Sequence, residues 1–121
     1  MCKKDSNGFI VELDINEILV FGSNIEGEHL GGAARQAYDD FGAIWGIGVG
    51  FAGQTYAIPT MGGLEQIKLY VDQFKHQAVL YPEFRFLLTR IGCGIAGYTD
   101  EEIAPLFKGS PLNVIFPKEW Q

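Results

Sequence analysis

Two glycine-rich stretches hold the residues whose types and spacing suit chemistry. In the first, Ser23 and Asn24 are followed by His29, Gly31 and Gly32. A carboxamide such as that of Asn24 offers both a donor and an acceptor to a ribose hydroxyl, and neighbouring glycines let a ligand approach the backbone. His29, with an ordinary pKa near 6.5, suits proton transfer or the orientation of an attacking water. The competing readings make Asn24 a turn or cap residue and His29 a solvated loop side chain. In the second stretch, Gly92-Cys93-Gly94-Ile95-Ala96-Gly97, followed by Tyr98, satisfies G-x-G-x-x-G. Placed after a strand and before a helix, that pattern presents amides to a pyrophosphate; the competing reading is a tight structural turn.

Other reactive side chains are less suited to chemistry. Amides around Cys93 could lower its pKa, but Thr99 stands where a cysteine phosphatase would carry Arg, so a covalent phosphatase mechanism is not expected. Asp100, Glu101 and Glu102 read as charges at a helix start, Asp39 and Asp40 fall at the far end of another helix, and His76 sits on a lysine-flanked helix face. No metal-binding cluster is visible and no cofactor is called for. Residues 48–53 also match G-x-G-x-x-G, but they precede a strand, and a chain with 16 glycines produces such matches by composition alone. No P-loop spacing occurs.

The elements that must position these loops follow from periodicity. An apolar run at 17–22 predicts a buried strand, and 31–41, with Ala33, Ala37 and Phe41 four apart, a small-residue helix stopped by Gly42. Residues 46–53 are too glycine-rich for a regular element, and 54–59 predict a second strand closed by proline. Leu64, Ile67, Val71, Phe74 and Ala78 recur at three and four, predicting a helix over 64–80. A strand at 83–89, a helix capped by Thr99 and running to Gly109, and a strand at 112–117 complete the chain; residues 10–13 could add an edge strand, and 1–8 form a flexible N-terminus. This alternation implies a single α/β domain over 1–121: a three-layer α/β/α arrangement around a mostly parallel sheet of about four to five strands. In such sheets ligands bind beyond the carboxyl ends of the strands, where residues 22–24, 60–63 and 92–97 all fall.

Composition narrows the partners. With 121 residues, 47% hydrophobic, the chain is expected to fold as one globular unit. Its formal charge of −6 supplies no basic stripe for a nucleic acid polymer, and an anionic small ligand would have to be held by backbone amides. Cys2 and Cys93 are expected as free thiols in a reducing, cytoplasmic setting. No apolar run approaches the roughly 20 residues a membrane span needs, so no membrane partner is expected. A dinucleotide-binding dehydrogenase would need further strands and an acid about 20 residues after the glycine motif, for which only Glu119 is in reach.

The order of these motifs resembles the macrodomain family. Asn24 followed by His29 and the glycines of a helix start is similar to that family's first loop, and residues 91–98 are similar to its phosphate loop. Val20-Phe21-Gly22-Ser23-Asn24, Tyr56-Ala57-Ile58-Pro59-Thr60 and the second loop together resemble a compact bacterial and phage type over residues 17–117. The resemblance implies ADP-ribose or a close derivative as ligand. Ser23, Asn24, Gly31 and Gly32 would lie at the distal ribose; Gly92, Cys93, Gly94, Ile95, Ala96, Gly97 and Tyr98 would lie at the diphosphate. Some members of that family hydrolyse a terminal phosphate or ester, and in such a hydrolase Asn24 and His29 would be the catalytic residues. The alternatives are a non-catalytic nucleotide-binding module and a structural protein without ligand. Leu30 stands where the family's glycine triple begins, and no Gly-Asp-Ile motif occurs near Asp14 and Ile15, so no residue is assigned to adenine.

Overall fold

The computed structural model describes residues 3–4, 10–29, 32–93 and 96–121. In chain order its elements are β1 (Lys3–Lys4), β2 (Ile10–Glu12), β3 (Glu17–Ser23), α1 (Gly32–Asp40), β4 (Gly50–Ala52), β5 (Thr55–Pro59), α2 (Leu64–Leu80), β6 (Arg85–Leu88), α3 (Asp100–Ile103), a 3-10 turn at Ala104–Phe107, β7 (Val114–Ile115) and a 3-10 turn at Lys118–Trp120. The main sheet has the order β4-β5-β3-β6-β7. β3 pairs in parallel with β5 and β6, and β6 with β7, while β4 runs antiparallel to β5.

β3 is central because it is apolar on both faces. Ile18 and Val20 join one buried cluster with Ile58, Phe86, Leu88 and the α2 residues Ile67, Val71, Phe74 and Ala78. Leu19 and Phe21 join another with Ala57, Leu87 and the α1 residue Ala37. Burying each large apolar side chain contributes roughly 1.5–3 kcal/mol, so the strand anchors both clusters. The end of α2 is held by Asn113, whose carboxamide donates to the carbonyls of Ala78, Tyr81 and Phe84 at 3.0–3.1 Å.

Several expectations are corrected. Residues 46–53 do contain a strand, β4, which forms a hairpin with β5 because Gly50 and Gly53 adopt φ of 89° and 56°, conformations that L side chains avoid. The helix expected from Asp100 to Gly109 is α-helical only to Ile103; Pro105 has no amide to donate, and the chain tightens into a 3-10 turn. The strand expected at 112–117 shrinks to Val114–Ile115 between Pro111 and Pro117. β2 lies in a separate two-stranded ladder with β1, not on the edge of the main sheet. Of the expected N-terminal segment 1–8, only Lys3 and Lys4 are described.

Candidate functional site

Strand order places a topological switch point between β3 and β6. After β3 the chain passes through α1 to β5 on one side; after β6 it passes through α3 to β7 on the other. The connections therefore diverge between β3 and β6, and the carboxyl edge at such a divergence is where open α/β sheets bind ligands. The two loops that leave there are the glycine-rich stretches. Their roots touch: a Cβ on Gly22 would lie 3.4 Å from Ile91 Cβ and 3.3 Å from Thr60 Oγ1. Thr60 also ties β5 to the first loop, donating its amide to the Ser23 carbonyl at 2.9 Å. α2 begins at this edge behind Gly63, without a side-chain cap.

The first loop is held rigidly. Asn24 Oδ1 accepts from the Glu28 amide at 2.8 Å and Nδ2 donates to the Glu28 carbonyl at 3.0 Å. Its carboxamide thus closes a turn on itself, the competing role weighed above. Asn24→Ala is expected to cost about 1–2 kcal/mol of stability for these two bonds, measured by denaturant unfolding. His29 is fully buried, which corrects the solvated reading: Nε2 donates to the Ile44 carbonyl at 2.9 Å, and the ring packs against Phe21, Tyr38 and Trp45. Nδ1 is buried without a hydrogen-bond partner.

The first loop has a second partner in the 44–48 segment. Ser23 Oγ donates to the Gly48 carbonyl, and the Gly46 amide donates to the Gly27 carbonyl at 3.0 Å. A Cβ on Gly48 would overlap the Asn24 carbonyl oxygen and stand 2.8 Å from that of Ile25; one on Gly27 would overlap the backbone between Gly46 and Ile47. The glycine run at 46–48 is thus where backbone packs directly on backbone. Glycine spacing marks this run in the sequence, but nothing local shows which of its glycines meets a distant backbone.

In the second loop, the Tyr98 amide donates to the Gly92 carbonyl at 2.8 Å and the Cys93 amide to the Arg90 carbonyl at 3.3 Å, so both amides close the loop. Gly92 and Gly97 adopt φ of 76° and 82°. The Tyr98 ring packs against the α2-side cluster. Gly32, exposed with φ 60°, opens α1. Gly31, Gly94 and Ile95 lie outside the described residues, and Ala96 is half-buried.

Asp100 organises the base of this loop. It accepts two bonds from Arg90, at 3.0 and 2.7 Å, one from Trp120 Nε1 at 2.6 Å and one from Cys93 Sγ at 3.5 Å, while the Thr99–Glu102 capping box starts its helix. Sequence reasoning saw only a helix-start charge there. Arg90, and then Trp120, hold the Asp100 carboxyl at about 2. Burial, and then the adjoining Asp100, push the Cys93 thiol up to about 11, which corrects the expectation of a lowered pKa. Two results follow. Cys93 should alkylate slowly at pH 8 and faster in Asp100→Asn, read by thiol labelling. Because the Asp100 pKa is depressed, its contribution to stability is full above about pH 4 and fades as pH falls towards 2. The excess stability of the wild type over Asp100→Asn should shrink across that window, measured by urea midpoints.

Arg90 is thus already matched by a carboxylate. Two surface depressions are present: one of 660 Å³ beside Phe51, Tyr56 and His76, and one of 420 Å³ beside Asp100, Glu101 and Trp120, below the second loop. Among the described residues no group of three or more His, Cys, Asp or Glu could hold a metal, and no helix is long and apolar enough to cross a membrane. No family model, curated protein or solved structure matches the chain.

Proposed function

We propose that this chain is a three-layer α/β/α domain of macrodomain type that binds ADP-ribose or a close nucleotide derivative in the crevice between the β3 and β6 exits. The observation that carries the reading is the divergence of the chain at β3 and β6, which brings the roots of both glycine-rich loops to one edge of the sheet. The two buried clusters on alternate faces of β3, one with α1 and one with α2, support the layering. The charge of −6 favours a small ligand held by amides over a nucleic acid polymer, and two cysteines far apart in sequence fit a cytoplasmic setting. Binding has more support than hydrolysis: the Asn24 carboxamide is engaged with Glu28, and the His29 ring is enclosed by aromatic side chains.

Thermal unfolding with added nucleotides tests this. ADP-ribose should stabilise the fold by about 2.7 kcal/mol at a hundredfold excess over its dissociation constant. ADP and ribose 5-phosphate, each filling part of the crevice, should stabilise less. No shift at millimolar ADP-ribose would leave a structural protein whose glycines shape turns. Release of phosphate from ADP-ribose 1″-phosphate above the uncatalysed rate would return the chain to the hydrolases.

A further inference from the structure

The interlocked loops 24–29 and 44–48 present an apolar face that the nucleotide reading does not use. Ile25, Ile44 and Trp45 are 50%, 51% and 44% exposed, and Tyr38 and Ile47 are exposed beside them. The Tyr38 and Trp45 rings form one surface, meeting edge to face at 5.5 Å and both packing on His29, and the loops that carry Ile25, Ile44 and Ile47 are in backbone contact, Gly27 lying against Gly46–Ile47. Contiguous exposed apolar side chains led by Trp and Tyr are the composition of interaction hot spots, whereas single exposed residues such as Ile15 and Leu112 need no explanation. The face is also preformed, since backbone contacts fix both loops and little ordering would be needed on docking.

Charge selects the occupant. The residues next to this face in the chain include the exposed acids Glu26, Glu28, Asp39 and Asp40. The one cation between residues 24 and 48, Arg35, is bound to Asp39 at 3.1 Å and lies over the Tyr38 ring. A second copy docking the same face would set these acids against their own kind, and an anionic membrane would be repelled by them. We propose that this face docks a basic amphipathic segment of another protein, its apolar side chains on Trp45 and Tyr38 and its Lys or Arg residues against the acidic rim.

The test uses the whole chain and two helical amphipathic peptides, one of Leu and Lys and one of Leu and Glu, titrated by calorimetry. The Lys peptide should bind at least about tenfold more tightly than the Glu peptide, and its affinity should fall about tenfold between low and high salt. Trp45→Ser should abolish binding. Because Trp45 also covers His29, the exposed double variant Glu26→Lys, Asp40→Lys gives a second reading without disturbing packing, and should weaken the Lys peptide by about tenfold. Equal binding of the two peptides, no binding of either, or an unchanged double variant would overturn the proposal. So would dimerisation lost in Trp45→Ser, or binding of the wild type to phosphatidylserine vesicles.

Discussion

Gly48→Ala should cost about 3 kcal/mol of stability, at the upper end of what overpacking usually costs. The new methyl group would occupy the position of the Asn24 carbonyl oxygen and crowd that of Ile25, and both obstacles are backbone atoms that no rotamer change can move aside. Relief requires the first loop to lift from the 44–48 segment, breaking the Ser23–Gly48 and Gly46–Gly27 hydrogen bonds together. Gly46→Ala is the control: a Cβ there meets nothing within 4 Å, and only the φ of 95° opposes it, at roughly 1–2 kcal/mol. Urea unfolding of the pair measures the difference. Equal losses would mean that backbone strain, not the interlock, governs this region.

His29→Ala should have a comparable effect, again about 3 kcal/mol or more, because it combines a cavity with an orphaned acceptor. Removing the ring empties the space between Phe21, Tyr38 and Trp45 and leaves the Ile44 carbonyl without its donor. His29→Phe separates the two terms. It keeps the ring, removes the buried unpartnered Nδ1, and loses only the bond to Ile44, so it should be milder by about 1–2 kcal/mol. For ligand, the folded fraction of His29→Phe should bind ADP-ribose as the wild type does. A stability change within about 0.5 kcal/mol in His29→Ala would contradict the burial described here.

The parts of this fold that were legible in the sequence are those whose signal is local and periodic. The apolar spacing of α2 predicted Leu64–Leu80 with the bounds observed, because four buried positions on one face leave little latitude. β3 is legible as a compact apolar run, β5 as the segment closed by Pro59, and the Thr99 cap from side-chain chemistry in a single turn. What escaped depends on distant partners. Nothing local distinguishes a glycine that shapes a turn from Gly48, which admits another backbone, and β4 was hidden in the same run. For His29 the sequence offers proton transfer or a solvated loop position, and neither anticipates burial, because the aromatic side chains that enclose it come from β3, α1 and the 44–48 segment. Asp100 was seen as one charge among three, since Arg90, Cys93 and Trp120 converge on it only in the folded chain.

The most direct test of the nucleotide reading is a titration of the isotope-labelled protein with ADP-ribose, followed by amide chemical shifts. Residues at the β3 and β6 exits should respond together: Ser23, Asn24 and Gly32 on one side, Gly92, Ala96 and Gly97 on the other. The apolar face around Trp45 and the depression beside Phe51 and His76 should remain still. Shifts confined to either of those surfaces, or no shifts at millimolar ligand, would contradict a crevice built by the two glycine-rich loops.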